Sequence, residues 1–215
     1  MSETKGLPRI AAYALPSETE IPPSRAPWTI ETGRAALLIH DMQEYFVAPF
    51  EKGASPIAPA TENLARLAAH CRARGIPVFY TAQKGNQERR ARGLQADLWG
   101  PGMRAIPEHE DIVPPLQPQP GDIRLVKHRY SAFQRSDFEQ QLQALGRDQL
   151  IIGGIYAHIG CMLTAAEAFQ RDIQPFFAAD ALADFSREKH DLAVRYVAER
   201  CGVSRSTRQL MEALA

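Results

Sequence analysis

The chain has 215 residues, enough for one α/β domain that buries its own core without disulfides or a structural metal. Lysine plus arginine and aspartate plus glutamate each total 25, so the formal net charge is zero and no global field favours nucleic acid or an anionic membrane. Cys71, Cys161 and Cys201 are odd in number and far apart, which fits neither a disulfide framework nor a zinc pattern, and no apolar run approaches the ~18 residues of a membrane span. The expected setting is the reducing cytoplasm, with neither nucleic acid nor membrane as a partner.

Residues 1–32 hold five prolines, Pro8, Pro16, Pro22, Pro23 and Pro27, too many for a helix interior or a central strand. Ile10, Tyr13, Leu15 and Trp28 make this stretch too apolar for a disordered tail, so an ordered arm is expected ahead of a single domain at 33–215. Ala35 to Ile39 then read as a strand buried on both faces, as in a parallel sheet. Polarity switches at His40, Asp41 and Gln43, where the strand should stop, and ligands of open α/β sheets bind beyond the carboxyl ends of strands. Asp41 is therefore a catalytic candidate; capping the helix that follows is its structural alternative.

Beyond a proline-containing loop, Leu64, Leu67, Ala68 and Cys71 repeat at helical spacing and predict a helix over Ala60 to Arg74, stopped by Gly75. A second strand is expected over Ile76 to Thr81, then a long polar loop from Ala82 to Arg104 that carries Gln83, Arg89, Arg90, Arg92, Arg104 and Trp99. Ile123 to Val126 predict a strand that delivers Lys127 to a carboxyl end, as the first strand delivers Asp41. Phe138 to Leu145 predict a helix, Gln149 to Gly153 a buried strand, and Gly153 to Cys161 a turn of small residues. A helix over Met162 to Asp172, a strand over Pro175 to Ala179, turn and capping groups at Asp180, Asp184 and Ser186, and a helix over Glu188 to Arg200 follow. Val203 to Ala215 leave room for a short strand and a closing helix. This alternation implies an α/β three-layer sandwich: a mostly parallel, doubly wound sheet with helices on both faces and right-handed crossovers.

Three strand ends thus bring polar groups to one sheet edge: Asp41, Lys127 and the turn from Tyr156 to Cys161. The segments HDMQEYF, YTAQ, WGPGM, HRYSAF, GIYAHIGCM and ADALADFS, in this order, resemble those of isochorismatases, the vinyl-ether hydrolases of the isochorismatase-like (cysteine hydrolase) superfamily. The resemblance runs from about Ile10 to the C-terminal helix. It places Asp41 and Lys127 on the acid and lysine positions that the superfamily's amidases share, whereas the position of their nucleophilic cysteine falls on Gly160. Cys161, the adjacent residue, reads as a small buried hydrophobe, and His158 as a structural histidine. The resemblance further implies a cis non-proline peptide at the Tyr156-Ala157 turn.

The reaction so implied is hydrolysis of the enolpyruvyl ether of isochorismate to 2,3-dihydro-2,3-dihydroxybenzoate and pyruvate, with Asp41 as general acid, Lys127 on a substrate carboxylate or the ether oxygen, and no covalent intermediate. Gln83 and Arg92 would contact the substrate's polar groups. Tyr45, Phe46, Trp99 and Tyr130 would form apolar and aromatic walls, and Tyr156 and the Gly160 N–H the opposite side. Neither cofactor nor metal is implied. The expected partners are a small dicarboxylate substrate and a second copy of the chain in a homodimer, with no carrier domain in this chain. The alternatives are the same hydrolysis of 2-amino-2-deoxyisochorismate, a nicotinamidase-like amidase, and a non-catalytic binding module.

Overall fold

The structure, a computed structural model, describes residues 7–215; residues 1–6 of the expected arm lie outside the described residues. Six strands form: β1 (Ala35–His40), β2 (Val78–Ala82), β3 (Ile123–Val126), β4 (Gln149–Gly154), β5 (Gln174–Leu182) and β6 (Val203–Arg205), of which β1, β2 and β4 are largely apolar runs. They form one sheet in the order β3-β2-β1-β4-β5-β6, and every neighbouring pair is parallel. In β1 Leu37 lies between Val78 and Ile151. All six β1 side chains are buried, alternate ones facing opposite layers: Ala35, Leu37 and Ile39 enter one core, Ala36 and Leu38 the other.

Nine α-helices complete the chain: α1 (Glu44–Val47), α2 (Ile57–Ala73), α3 (Arg89–Arg92), α4 (Gln95–Trp99), α5 (Pro107–Glu110), α6 (Phe138–Ala144), α7 (Met162–Gln170), α8 (Arg187–Arg200) and α9 (Thr207–Ala213), among the described residues. Helices α2 and α9 pack on the first core through Leu64, Leu67 and Leu210, and α6, α7 and α8 on the second through Phe138, Ala168 and Val197. The expected three-layer α/β architecture is borne out.

The differences lie at boundaries. Helix α2 starts at Ile57 rather than Ala60 because Pro59 falls within its first turn, where the missing N–H would have had no partner. The expected loop at 82–104 contains α3 and α4, four- and five-residue helices closed by Gly93 and Gly100, both at positive φ, and too short to show a period. The short α5 and the 3-10 turn Pro114–Leu116 were likewise not expected. Strand β5 continues through Asp180 to Leu182; the polar residue is accommodated because its carboxylate accepts from the Thr207 N–H and Oγ1, both at 2.6 Å, at the start of α9. Ser186 caps α8 as expected, and Ser206 with Gln209 makes a capping box on α9.

From Leu7 to Thr32 the chain forms neither helix nor strand beyond a single bridge of Ile10 to Phe50, yet it is tied down along its length. Tyr13 exchanges hydrogen bonds with Ser55, Glu20 pairs with Arg187, and Glu18 pairs with Arg208.

Candidate active site

The sheet order reverses direction at β1/β4, the point where open α/β sheets leave a crevice at their carboxyl edge. β1 ends at His40, and Asp41 turns the chain with φ of +50°, a left-handed conformation that Asp tolerates better than most residues. Asp41 is not the cap of the following helix; Gln43 stands at the N-cap of α1. Its backbone N–H instead donates to Thr81 Oγ1 at 3.0 Å, and the Thr81 hydroxyl donates to Asp41 Oδ1 at 2.7 Å. Lys127, the residue after β3, places Nζ 2.7 Å from Asp41 Oδ2 and also donates to the Arg129 and Tyr130 carbonyls at 2.9 and 3.4 Å. Both members of this ion pair are almost fully buried, so removing either leaves an uncompensated charge.

Gln43, buried beside them, ties the ends of β1 and β2 to α5. It accepts from the Gln83 N–H at 2.7 Å and donates to the Gln83 and Glu110 carbonyls, each at 2.9 Å. Arg92 is brought in by α3 and is buried, with Nε donating to the Gly100 carbonyl at 3.0 Å and no carboxylate partner among the described residues. Burial pushes its guanidinium down from the ordinary arginine range. A buried cation with free donors is a ready partner for an anionic ligand.

Aromatic rings enclose the space between. Trp99 Nε1 donates to the Tyr130 hydroxyl at 2.6 Å, and the Tyr156 hydroxyl donates to the Phe46 carbonyl at 2.7 Å. Tyr156 stacks between Phe50 and Phe185, with centroids 6.0 and 4.3 Å away, and burial raises its phenol far above the usual value. The cis non-proline peptide is Ile155-Tyr156, one residue earlier than expected.

Asp41, Tyr45, Phe46, Gln83, Arg92, Trp99, Lys127, Tyr130, Tyr156 and Gly160 all line this one cavity, so every residue that the resemblance assigned to a site converges there. Leu7, Gln95, Gly102, Met103, Ile155, Ile159 and Phe185 line it as well and were not anticipated. Gly102 sits within WGPGM and Phe185 within ADALADFS, so those blocks carried a signal; Leu7 lay in the arm, where nothing in the sequence marked it. Cys161 is fully buried in the second core with its thiol pushed well up by burial, in keeping with its reading as a hydrophobe. His158 is anchored by Asp184, which accepts from its backbone N–H and bonds its Nδ1, both at 2.6 Å.

The isochorismatase domain family model matches residues 35–209. Enterobactin synthase component B of Escherichia coli (strain K12) is 49% identical over 207 residues, covering 96% of this chain and 73% of its own. Isochorismatase of Bacillus subtilis (strain 168) is 47% identical over 208 residues, 97% of this chain and 67% of its own. The phenazine biosynthesis protein PhzD of Pseudomonas fluorescens is 46% identical over 206 residues, 96% of this chain and 99% of its own. Among solved structures, a cysteine hydrolase from Pseudomonas syringae pv. phaseolicola 1448A superposes with a TM-score of 0.80 over 89% of this chain and 96% of its own; at 22% identity this likeness speaks for the fold.

Proposed function

The chain belongs to the isochorismatase family, and from that premise we propose that it hydrolyses the enolpyruvyl ether of isochorismate to 2,3-dihydro-2,3-dihydroxybenzoate and pyruvate. The observation that carries the reading is a buried Asp41–Lys127 pair at the base of an aromatic cavity that also holds the unpaired Arg92 guanidinium. Two cations in one pocket suit a substrate with two carboxylates, and aromatic walls exclude bulk water while a carbocation forms.

In the proposed mechanism Asp41, held by the Thr81 hydroxyl, gives a proton to the terminal methylene of the enolpyruvyl group. The resulting oxocarbenium ion is captured by water, which returns a proton to Asp41. The hemiketal then collapses, breaking the bond to the ring oxygen and releasing pyruvate and the diol. Lys127 leaves Asp41 for a substrate carboxylate or the ether oxygen as the substrate binds, so that Asp41 can hold the proton it delivers. Arg92 takes a carboxylate through its planar fork, and Gln83 a polar group of the ring.

Isochorismate is favoured over 2-amino-2-deoxyisochorismate by the lining itself. Asp41 is the one carboxylate on the cavity among the described residues, and the proposed reaction needs it as the proton donor, so an ammonium on the ring finds no free carboxylate to pair with. The test is pyruvate release by the purified protein from each compound, with ammonia release from nicotinamide followed in parallel. We expect isochorismate to be preferred by about tenfold or more, because an ammonium without a counter-ion in a closed pocket costs at least that much. A reversed preference would transfer the assignment to the amino compound, and ammonia without pyruvate would overturn vinyl-ether hydrolysis altogether.

No helix among the described residues is long and apolar enough to cross a membrane. We place the protein in the cytoplasm on the ground that Cys71, Cys161 and Cys201 are all unpaired and buried. A homodimer is proposed from the exposed leucines Leu94, Leu98 and Leu163, which share one open groove beside α4.

A further inference from the structure

His40 takes no part in the proposed reaction, yet it is the fully buried residue between Asp41 and the cavity wall at Gly160. Its Nδ1–H donates to the Ile155 carbonyl at 2.9 Å and lies 3.7 Å from Asp41 Oδ2. That bond fixes the ring against the start of the turn that carries Gly160. A Cβ built on Gly160 would stand 2.2 Å from His40 Cε1, 2.9 Å from Nε2 and 3.0 Å from Nδ1. No side chain of any kind fits there while His40 keeps its place, because a ring buried on all sides and bonded to a main-chain carbonyl has nowhere to swing.

We propose that His40 fills the space in which a nucleophilic side chain at position 160 would begin, so that His40 and Gly160 together confine this cavity to chemistry by bound water. Position 160 lines the cavity, and His40, whose ring would meet its Cβ, also approaches the Asp41 carboxylate. A thiol or hydroxyl there would have a carboxylate and an ammonium at hand, a base to take its proton and a cation to favour its anion, which is what activates a nucleophile. The constraint is mutual: Gly160 gives His40 its room, and His40 forbids any residue but glycine at 160. A covalent route therefore cannot be opened by one substitution at 160 and needs the ring removed as well. This deepens the reading of the site as a hydrolase without a covalent intermediate, but its test reads thiol access and folding rather than pyruvate, so either can fail alone.

The experiment compares Gly160→Cys, His40→Ala and the double variant with the parent protein, with His40→Val as a second background that suits a buried strand. Each is followed by thermal unfolding and by iodoacetamide, whose carbon forms a bond to sulfur as iodide leaves and the thiol proton passes to buffer. The parent's three cysteines are buried and set the background. We expect Gly160→Cys alone to lose its cooperative transition or melt far below the parent. Either His40 background should restore cooperative unfolding, with one added carbamidomethyl group on the introduced thiol, gained at least about tenfold faster than on any thiol of the parent. A Gly160→Cys protein that melts with the parent and alkylates as fast as the double variant would overturn the proposal. So would failure of both double variants to fold where His40→Ala or His40→Val does.

Discussion

A methyl group on Gly102 would stand 2.4 Å from Arg92 Nη1, and Gly102 already needs the left-handed region with φ of +79°. Gly102→Ala should therefore act through a residue it does not resemble, by pushing the guanidinium off its place. We expect KM for isochorismate to rise about tenfold in Gly102→Ala and in Arg92→Gln alike, with kcat falling much less, since both weaken ground-state binding of a carboxylate. Asp41→Asn keeps the shape of the acid and removes its proton chemistry, and should lower kcat by about a thousandfold or more in steady-state pyruvate release. His40 offers a readout of a different kind. Burial pushes its imidazole down from 6.5 to about 4, so between those values the unfolded chain takes up a proton that the folded chain refuses. Stability contributed by the neutral ring is present above pH 6.5 and is lost as the pH falls toward 4, on the order of 3 kcal/mol in all. Urea unfolding near pH 7 and near pH 4.5 should show a larger loss in the parent than in His40→Ala; equal losses would mean that the ring titrates normally.

The arm and the 82–104 segment are the two elements whose roles exceed what their sequences announce. Leu7 lines the cavity, and Ile10 is bridged to Phe50, whose ring stacks on Tyr156, so the arm is part of the wall and not an attachment. Leu7→Ala should raise KM several-fold with an unchanged melting temperature, because the residue is only half-buried and its loss opens the cavity rather than the core. Farther along, Tyr13 donates to His190 Nδ1 at 3.1 Å and accepts from the Asp184 N–H at 2.8 Å, while His190 Nε2–H donates to the Ala179 carbonyl at 2.9 Å. Tyr13→Phe strands two buried groups, at a cost of about 1–3 kcal/mol, visible as a drop of several degrees in the unfolding midpoint. The strands and long helices were legible because each carries a period or an unbroken apolar run, as at Ala35–His40 and Ile57–Ala73. Helices α3 and α4 carry neither, being ended by glycines after one turn, although Arg92 and Trp99, which they carry, line the cavity. Most of the polar and aromatic residues that line the cavity were legible from their blocks, Lys127 from the end of the strand before it, and Arg92 from the resemblance alone. His40 in its spatial role and Leu7 were not, because a fit between residues far apart in sequence leaves no local pattern.

At the scale of the whole molecule two large apolar side chains stand exposed at α4, Leu94 at 80% and Leu98 at 61%. If this face joins two copies, Leu98→Asp should convert a dimer to a monomer in sedimentation equilibrium while leaving the unfolding cooperative; a monomeric parent protein would remove the homodimer from the description. The sheet has a consequence for the order in which a living cell obtains the active protein. Translation delivers β1, β2 and β3 first, and with them Asp41, Thr81 and Lys127, while the strand that must sit against the open side of β1 is made later. Until Gln149–Gly154 is threaded there, the acid and its lysine face solvent, without the wall supplied by Tyr156, Gly160 and Phe185. A nascent chain on the ribosome thus carries the proposed catalytic groups long before it carries a closed cavity, and hydrolysis is expected only once Phe185 has emerged and packed.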